Sequence, residues 1–115
     1  NRIHQLEKIA LSLPYETRYV YRDDILYFQI DNGIFVLLKD GTKLSLVNET
    51  LKEIETTLSD SFVRVNNNVL INFSKVDHLD VKNHKIIMLD GTIVSVSVRR
   101  WKKVKEHYIQ MRTNI

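Results

Sequence analysis

The chain has 115 residues, no cysteine and a formal charge of +3, with 43% hydrophobic and 27% charged residues. That length suits one domain with its own core, and the missing cysteines exclude disulfides, Cys-ligated zinc and thiol catalysis. No apolar run approaches the roughly 18 residues of a membrane helix and no signal-peptide pattern is present, so the expected setting is cytoplasmic.

Most of the chain reads as strand. Ile9, Leu11 and Leu13 alternate before Pro14 marks a turn, and an aromatic, β-branched stretch follows over 17–21. Next come a strand over 25–30, a turn at Asp31-Asn32-Gly33, and the continuous apolar run Ile34-Phe35-Val36-Leu37-Leu38, which predicts a strand buried on both faces. Asp40-Gly41 signals a hairpin with a return strand over 43–46. Val47, Leu51, Ile54 and Leu58 then share one helical face, with Ser45 or Asn48 as the cap and Glu49, Glu53 and Glu55 in the N-terminal half.

The stretch Phe62-Val63-Arg64-Val65-Asn66-Asn67-Asn68-Val69-Leu70-Ile71-Asn72 comes next. As a single strand it puts Val63, Val65, Val69, Ile71 and Phe73 on one face, with Asn67 interrupting the row. A buried, unpaired amide is costly, so the ladder is expected to bulge, turn or run past the core edge here. Beyond it, strands over 76–81 and 85–89 flank a turn at Lys82-Asn83-His84. Asp90-Gly91 leads into a strand over 93–97, and a helix starting near Ser97 carries Trp101, Val104, Tyr108 and Met111 or Arg112 on one face. Lys39-Asp40-Gly41-Thr42 and Leu89-Asp90-Gly91-Thr92 read as two similar hairpin turns. No Gly- or Pro-rich linker divides the chain, so one domain over 1–115 is expected. Because the chain starts at Asn1 and not Met, it is expected to be a fragment of a longer protein.

Charge is unevenly placed. Residues 1–63 hold 7 Lys and Arg against 10 Asp and Glu; residues 64–115 hold 10 against 4. The basic half contains the asparagine run and the cluster Arg99-Arg100-Trp101-Lys102-Lys103-Val104-Lys105. Those cations begin at a helix N-terminus, where the macrodipole disfavours them, which favours a patch that meets an anion, nucleic acid first. Asparagine can pair with an adenine edge, and arginine can contact guanine or clamp a phosphate. The competing readings are a plain asparagine turn and a solvated helix face. His4, His78, His84 and His107 have no metal-ligand spacing and read as surface histidines. No catalytic triad, carboxylate pair or Gly-rich phosphate loop is present, so no enzyme, cofactor or metal is expected.

Several segments together resemble one family. Residues 62–72 are similar to the signature F-x-R-x-H-[RN]-S-[YF]-[IV]-V-N, with Asn66 where the family has His and Asn68 where it has Ser. Val76 fits the isoleucine that follows. Leu89-Asp90-Gly91 with Val96-Ser97-Val98-Arg99-Arg100 resembles L-x-[DN]-G…x-[VA]-S-x-R, and Asp24-Ile25-Leu26-Tyr27-Phe28 resembles D-I-x-Y-[IF]. On these residues the chain resembles the LytTR family, the DNA-binding domain of LytR/AgrA-type bacterial response regulators.

The resemblance implies a mainly β fold of elongated, stacked antiparallel sheets with one short central helix, completed here by the predicted C-terminal helix. It implies sequence-specific binding of double-stranded DNA by a transcription regulator, through loops. Asn67, Arg99 and the loop at Asn32 become the expected base contacts, and Asn68, Arg100 and Lys102 the expected phosphate contacts. Arg64, Asn66 and Lys75, in or beside the asparagine run, complete the phosphate set. Tandem promoter repeats, a dimer on DNA and an upstream receiver or sensor domain follow as expected partners. The alternative is a β-sandwich protein-interaction module with a basic face; a membrane-surface module using the basic helix ranks below it.

Overall fold

The computed structural model describes residues 7–113; His4 and the Arg112 side chain lie outside the described residues. Ten strands and two α-helices are described: β1 (Lys8–Ser12), β2 (Thr17–Tyr21), β3 (Ile25–Ile30), β4 (Ile34–Leu38), β5 (Lys43–Leu46), α1 (Leu51–Thr57), β6 (Phe62–Asn66), β7 (Val69–Asn72), β8 (Val76–Asp80), β9 (Lys85–Met88), β10 (Ile93–Ser95) and α2 (Val98–Thr113). Short 3₁₀ turns follow β2 and β7, over Arg22–Asp24 and Phe73–Lys75.

The strands form three antiparallel sheets, ordered β1-β2, β5-β4-β3-β7-β6 and β10-β9-β8. The five-stranded sheet is the middle layer. Because side chains alternate across a strand, apolar neighbours such as Phe62-Val63 and Leu70-Ile71 serve two cores. Phe28, Val36, Phe62 and Leu70 pack with Leu11, Val20 and the α1 residues Leu51 and Ile54. Val63, Val65, Val69 and Ile71 pack with Ile86, Met88, Val94 and the α2 residues Trp101 and Val104. The domain measures 43 × 32 × 25 Å, so the expected mainly β, elongated, stacked architecture is the observed one. β4 lies inside the sheet with Phe35 and Val36 both buried.

The central helix starts later than the pattern predicts, and its cap is neither Ser45 nor Asn48. Val47 donates its N–H to the Ser12 carbonyl at 2.9 Å, which keeps it outside the helix. Asn48 turns the chain at φ 60°. Thr50 is the cap: its hydroxyl accepts from the Glu53 N–H at 3.1 Å while the Glu53 carboxylate accepts from the Thr50 N–H at 2.9 Å. This capping box satisfies donors that the first helical turn otherwise leaves open.

Candidate nucleic-acid interface

The asparagine run is a turn. β6 and β7 pair with Asn66 opposite Val69, leaving Asn67 and Asn68 as a two-residue connection, and the register shifts between Arg64 and Asn66. Two-residue hairpin loops usually need positive φ to match the strand twist. Neither Asn67 nor Asn68 adopts it, so other bonds hold the turn. The Asn66 carboxamide oxygen accepts from the Asn68 N–H at 2.8 Å, and its nitrogen donates to the Ser95 carbonyl at 2.7 Å. The Arg64 guanidinium donates to the Asn66 carbonyl at 3.2 Å and to the Asn67 carbonyl at 2.7 Å. Asn67 and Asn68 are exposed, and neither side-chain amide has a hydrogen bond among the described residues.

Two further segments meet this turn. The Ile30 N–H donates to the Asn68 carbonyl at 2.8 Å, which sets the turn at residues 31–33 beside it. There Asn32 stands at φ 54° and Gly33 at φ 102°, both exposed. From the other layer, the chain leaving β10 crosses back: the Ser97 N–H donates to the Val65 carbonyl at 2.9 Å. α2 begins at the next residue, so Arg99 and Arg100 enter at the asparagine end of the middle sheet. The structure thus brings Asn32, Asn67, Asn68, Arg99 and Arg100 to one end of the molecule, with Lys102 following on α2.

The electrostatics of this end favour an anion. Arg99, Lys102 and Lys103 are exposed and have no ion pair among the described residues. Arg100 is half-buried, and burial, followed by the nearby Arg99 and Arg64 charges, lowers its pKa from its ordinary value. Its Nε and the Ser97 hydroxyl are buried with no hydrogen-bond partner. Crowded cations with an unused donor gain most from a negative group brought among them.

The remaining expected contacts are engaged within the chain or placed elsewhere. Arg64 is only 16% exposed and its third nitrogen faces Glu55 of α1 at 3.4 Å. Lys75 lies past the opposite end of β7, 2.6 Å from Asp23, whose carboxylate also pairs with Lys39. Hydrogen bonding to Lys75 lowers the Asp23 pKa, with Lys39 adding to it against a smaller cost of burial. Of the histidines, His78 is exposed beside Asp77. His84 instead stacks on Trp101 at 4.6 Å and His107 meets the Phe73 ring edge-on at 4.5 Å, both half-buried. The described residues hold no group of three His, Cys, Asp or Glu that could bind a metal ion. None of their helices is long and apolar enough to cross a membrane.

The bonding roles of three residues in this architecture were not predicted from the sequence pattern. Glu55 holds Arg64, and Ser97 ties α2 to β6. Asn72 is buried and donates to the Arg22 and Ile25 carbonyls at 3.2 and 2.9 Å. Only the Asn at the end of the family signature hinted at the last of these.

The LytTr DNA-binding domain family model matches residues 15–109. A solved structure from Bacillus cereus, the LytTr DNA-binding domain assigned to a methyl-accepting/DNA response regulator, is similar with a TM-score of 0.72. It shares 19% identity over 86% of this chain and 94% of its own. Among curated proteins there is no match. The matched span covers the whole middle sheet, both helices' core residues, the asparagine turn and the Ser97–Arg100 junction, and on that ground the chain belongs to the LytTR family of DNA-binding domains.

Proposed function

We propose that this chain is a sequence-specific double-stranded-DNA-binding domain of a cytoplasmic bacterial transcription regulator. The observation that carries the reading is the convergence at one end of the middle sheet of three exposed segments: the Asn32 turn, the Asn67-Asn68 turn and the basic start of α2. Asn67, Arg99 and Asn32 read base edges, and Asn68, Arg100 and Lys102 contact phosphates. Arg64 and Asn66 are bonded within the turn and shape it. Lys75 is paired at the far end and lies outside this contact set.

Neutralising phosphates releases counterions and gives strong salt dependence, while groove contacts supply specificity. Loops reaching separate grooves gain from bending the duplex, so DNA deformability is read as well. The domain acts as a unit over 1–115, as the C-terminal part of a regulator whose upstream receiver or sensor brings two copies onto tandem promoter repeats. LytTR is a DNA-binding and not an enzymatic family, and the reading needs no cofactor.

Selection of sites from random duplexes, followed by electrophoretic shift with competitor DNA, tests this. The expected result is an enriched motif whose complex survives excess shuffled duplex. Equal competition by the shuffled duplex overturns the reading in favour of a basic protein-interaction module.

A further inference from the structure

We propose that Arg64 and Glu55 are positioning residues that hold the Asn67 turn in its DNA-reading shape, so that Arg64 serves specificity without touching DNA. The inference rests on the DNA-binding reading above and deepens it.

The turn's own support is the single bond from the Asn68 N–H to the Asn66 carboxamide. The turn lacks glycine, and neither of its two residues takes the positive φ that matches such a loop to strand twist. The register shift between Arg64 and Asn66 adds local distortion. A planar guanidinium offers donors in a fixed fork, and this one uses all three nitrogens: Nε on the Asn66 carbonyl, one Nη on the Asn67 carbonyl, the other on Glu55. Two successive carbonyls of the turn are thereby held by one side chain, while the Asn67 side chain has no hydrogen bond among the described residues.

Glu55 completes the brace. It projects from α1, on the opposite face of the middle sheet from α2, and sets the third nitrogen at 3.4 Å. Its carboxylate also opposes the lowering of the Arg100 pKa that burial, Arg99 and Arg64 cause. A lysine at position 64 keeps the charge but gathers its donors on one compact ammonium, without the spaced planar fork that meets both carbonyls and Glu55 here.

The test compares binding of the selected duplex and a shuffled duplex of the same composition, at several salt concentrations, for the 115-residue chain. Arg64→Lys should cut the preference for the selected duplex about tenfold. Binding to the shuffled duplex and its salt slope should stay unchanged. Glu55→Gln should cut the preference about threefold. In an Asn67→Ala background, Arg64→Lys should remove no further preference, because it acts through that residue. A second readout needs no DNA: in free protein, the Asn68 amide should exchange about tenfold faster in Arg64→Lys, with the Ile86 amide of the β9 ladder unchanged as a folding control.

Full preference retained by Arg64→Lys overturns the proposal, since a phosphate clamp tolerates lysine. So does a loss that multiplies with Asn67→Ala, or unchanged Asn68 exchange. A wild-type chain that prefers neither duplex defeats the DNA-binding reading instead, and the exchange measurement still decides whether the brace exists.

Discussion

Asn67 and Arg99 stand at the tips of different elements, yet both are exposed and without side-chain partners among the described residues. Their replacement should therefore cost little folding stability and much recognition. Asn67→Ala and Arg99→Ala should each lose about 1–3 kcal/mol of specific binding while non-specific binding survives. Titrations that show full discrimination in both variants would remove them from the base-contacting set. Lys102→Ala should instead weaken all sequences alike and reduce the salt slope by about 1. Side-chain type made these residues candidates, but their neighbours decided their availability. Asn66, Asn67 and Asn68 are chemically identical, and only Asn66 meets a carbonyl from another sheet.

Among the elements, the turns follow local chemistry most closely. At both Asp-Gly-Thr turns the aspartate carboxylate accepts from the threonine N–H, at 2.8 Å for Asp40 and 3.0 Å for Asp90. Gly41 and Gly91 take φ of 91° and 90°, where a side chain would be strained. This one turn solution, used twice, accounts for the internal echo in the sequence. The short central helix depends on its cap: Thr50→Ala should lower stability by about 1 kcal/mol in denaturant unfolding, and an unchanged midpoint would contradict the capping assignment. Asn72 closes β7 by bonding two buried carbonyls while accepting from the Ser74 N–H and hydroxyl. Asn72→Leu should cost about 1–3 kcal/mol, because those carbonyls lose a partner they cannot replace with water. Near-wild-type stability in that variant would show that the network is dispensable.

At the scale of the molecule, one end is paired and the other is left open. Asp23, Lys39 and Lys75 pair at one end of the sheet, and the buried Arg22 bonds Asp60 and Ser61 nearby. At the asparagine end, Arg99, Lys102 and Lys103 have no ion pair among the described residues. α2 joins the layers, and its His107 gives the fold a pH dependence. Burial first, then Lys103, lowers the His107 pKa below its ordinary value of 6.5. The unfolded chain then binds a proton that the folded chain resists, so stability should fall as pH drops through 6.5 toward the lower folded value. His107→Phe should flatten melting temperature against pH in that window, and an identical slope in both proteins would assign the effect elsewhere.

Much of this molecule is written locally. Alternating apolar residues determined the strands, and the continuous run Ile34-Phe35-Val36-Leu37-Leu38 determined a strand with buried neighbours on both faces. Asp-Gly-Thr determined two turns, and the spacing of Leu51, Ile54 and Leu58 determined the buried face of a helix. The break at Asn66-Asn67-Asn68 and the arginines after Val98 marked the end of the molecule that we propose meets DNA. These features were legible because a period or a turn depends on neighbours a few residues away. Only the tertiary structure decided which polar residues at that end are free. Arg64 is drawn inward by Glu55 and by the turn's own carbonyls, Asn66 by Ser95, and Lys75 by Asp23 at the opposite end. Those partners lie between 2 and 52 residues away, and a hydrogen bond depends on position in space to within a fraction of an ångström. No local pattern specifies that position.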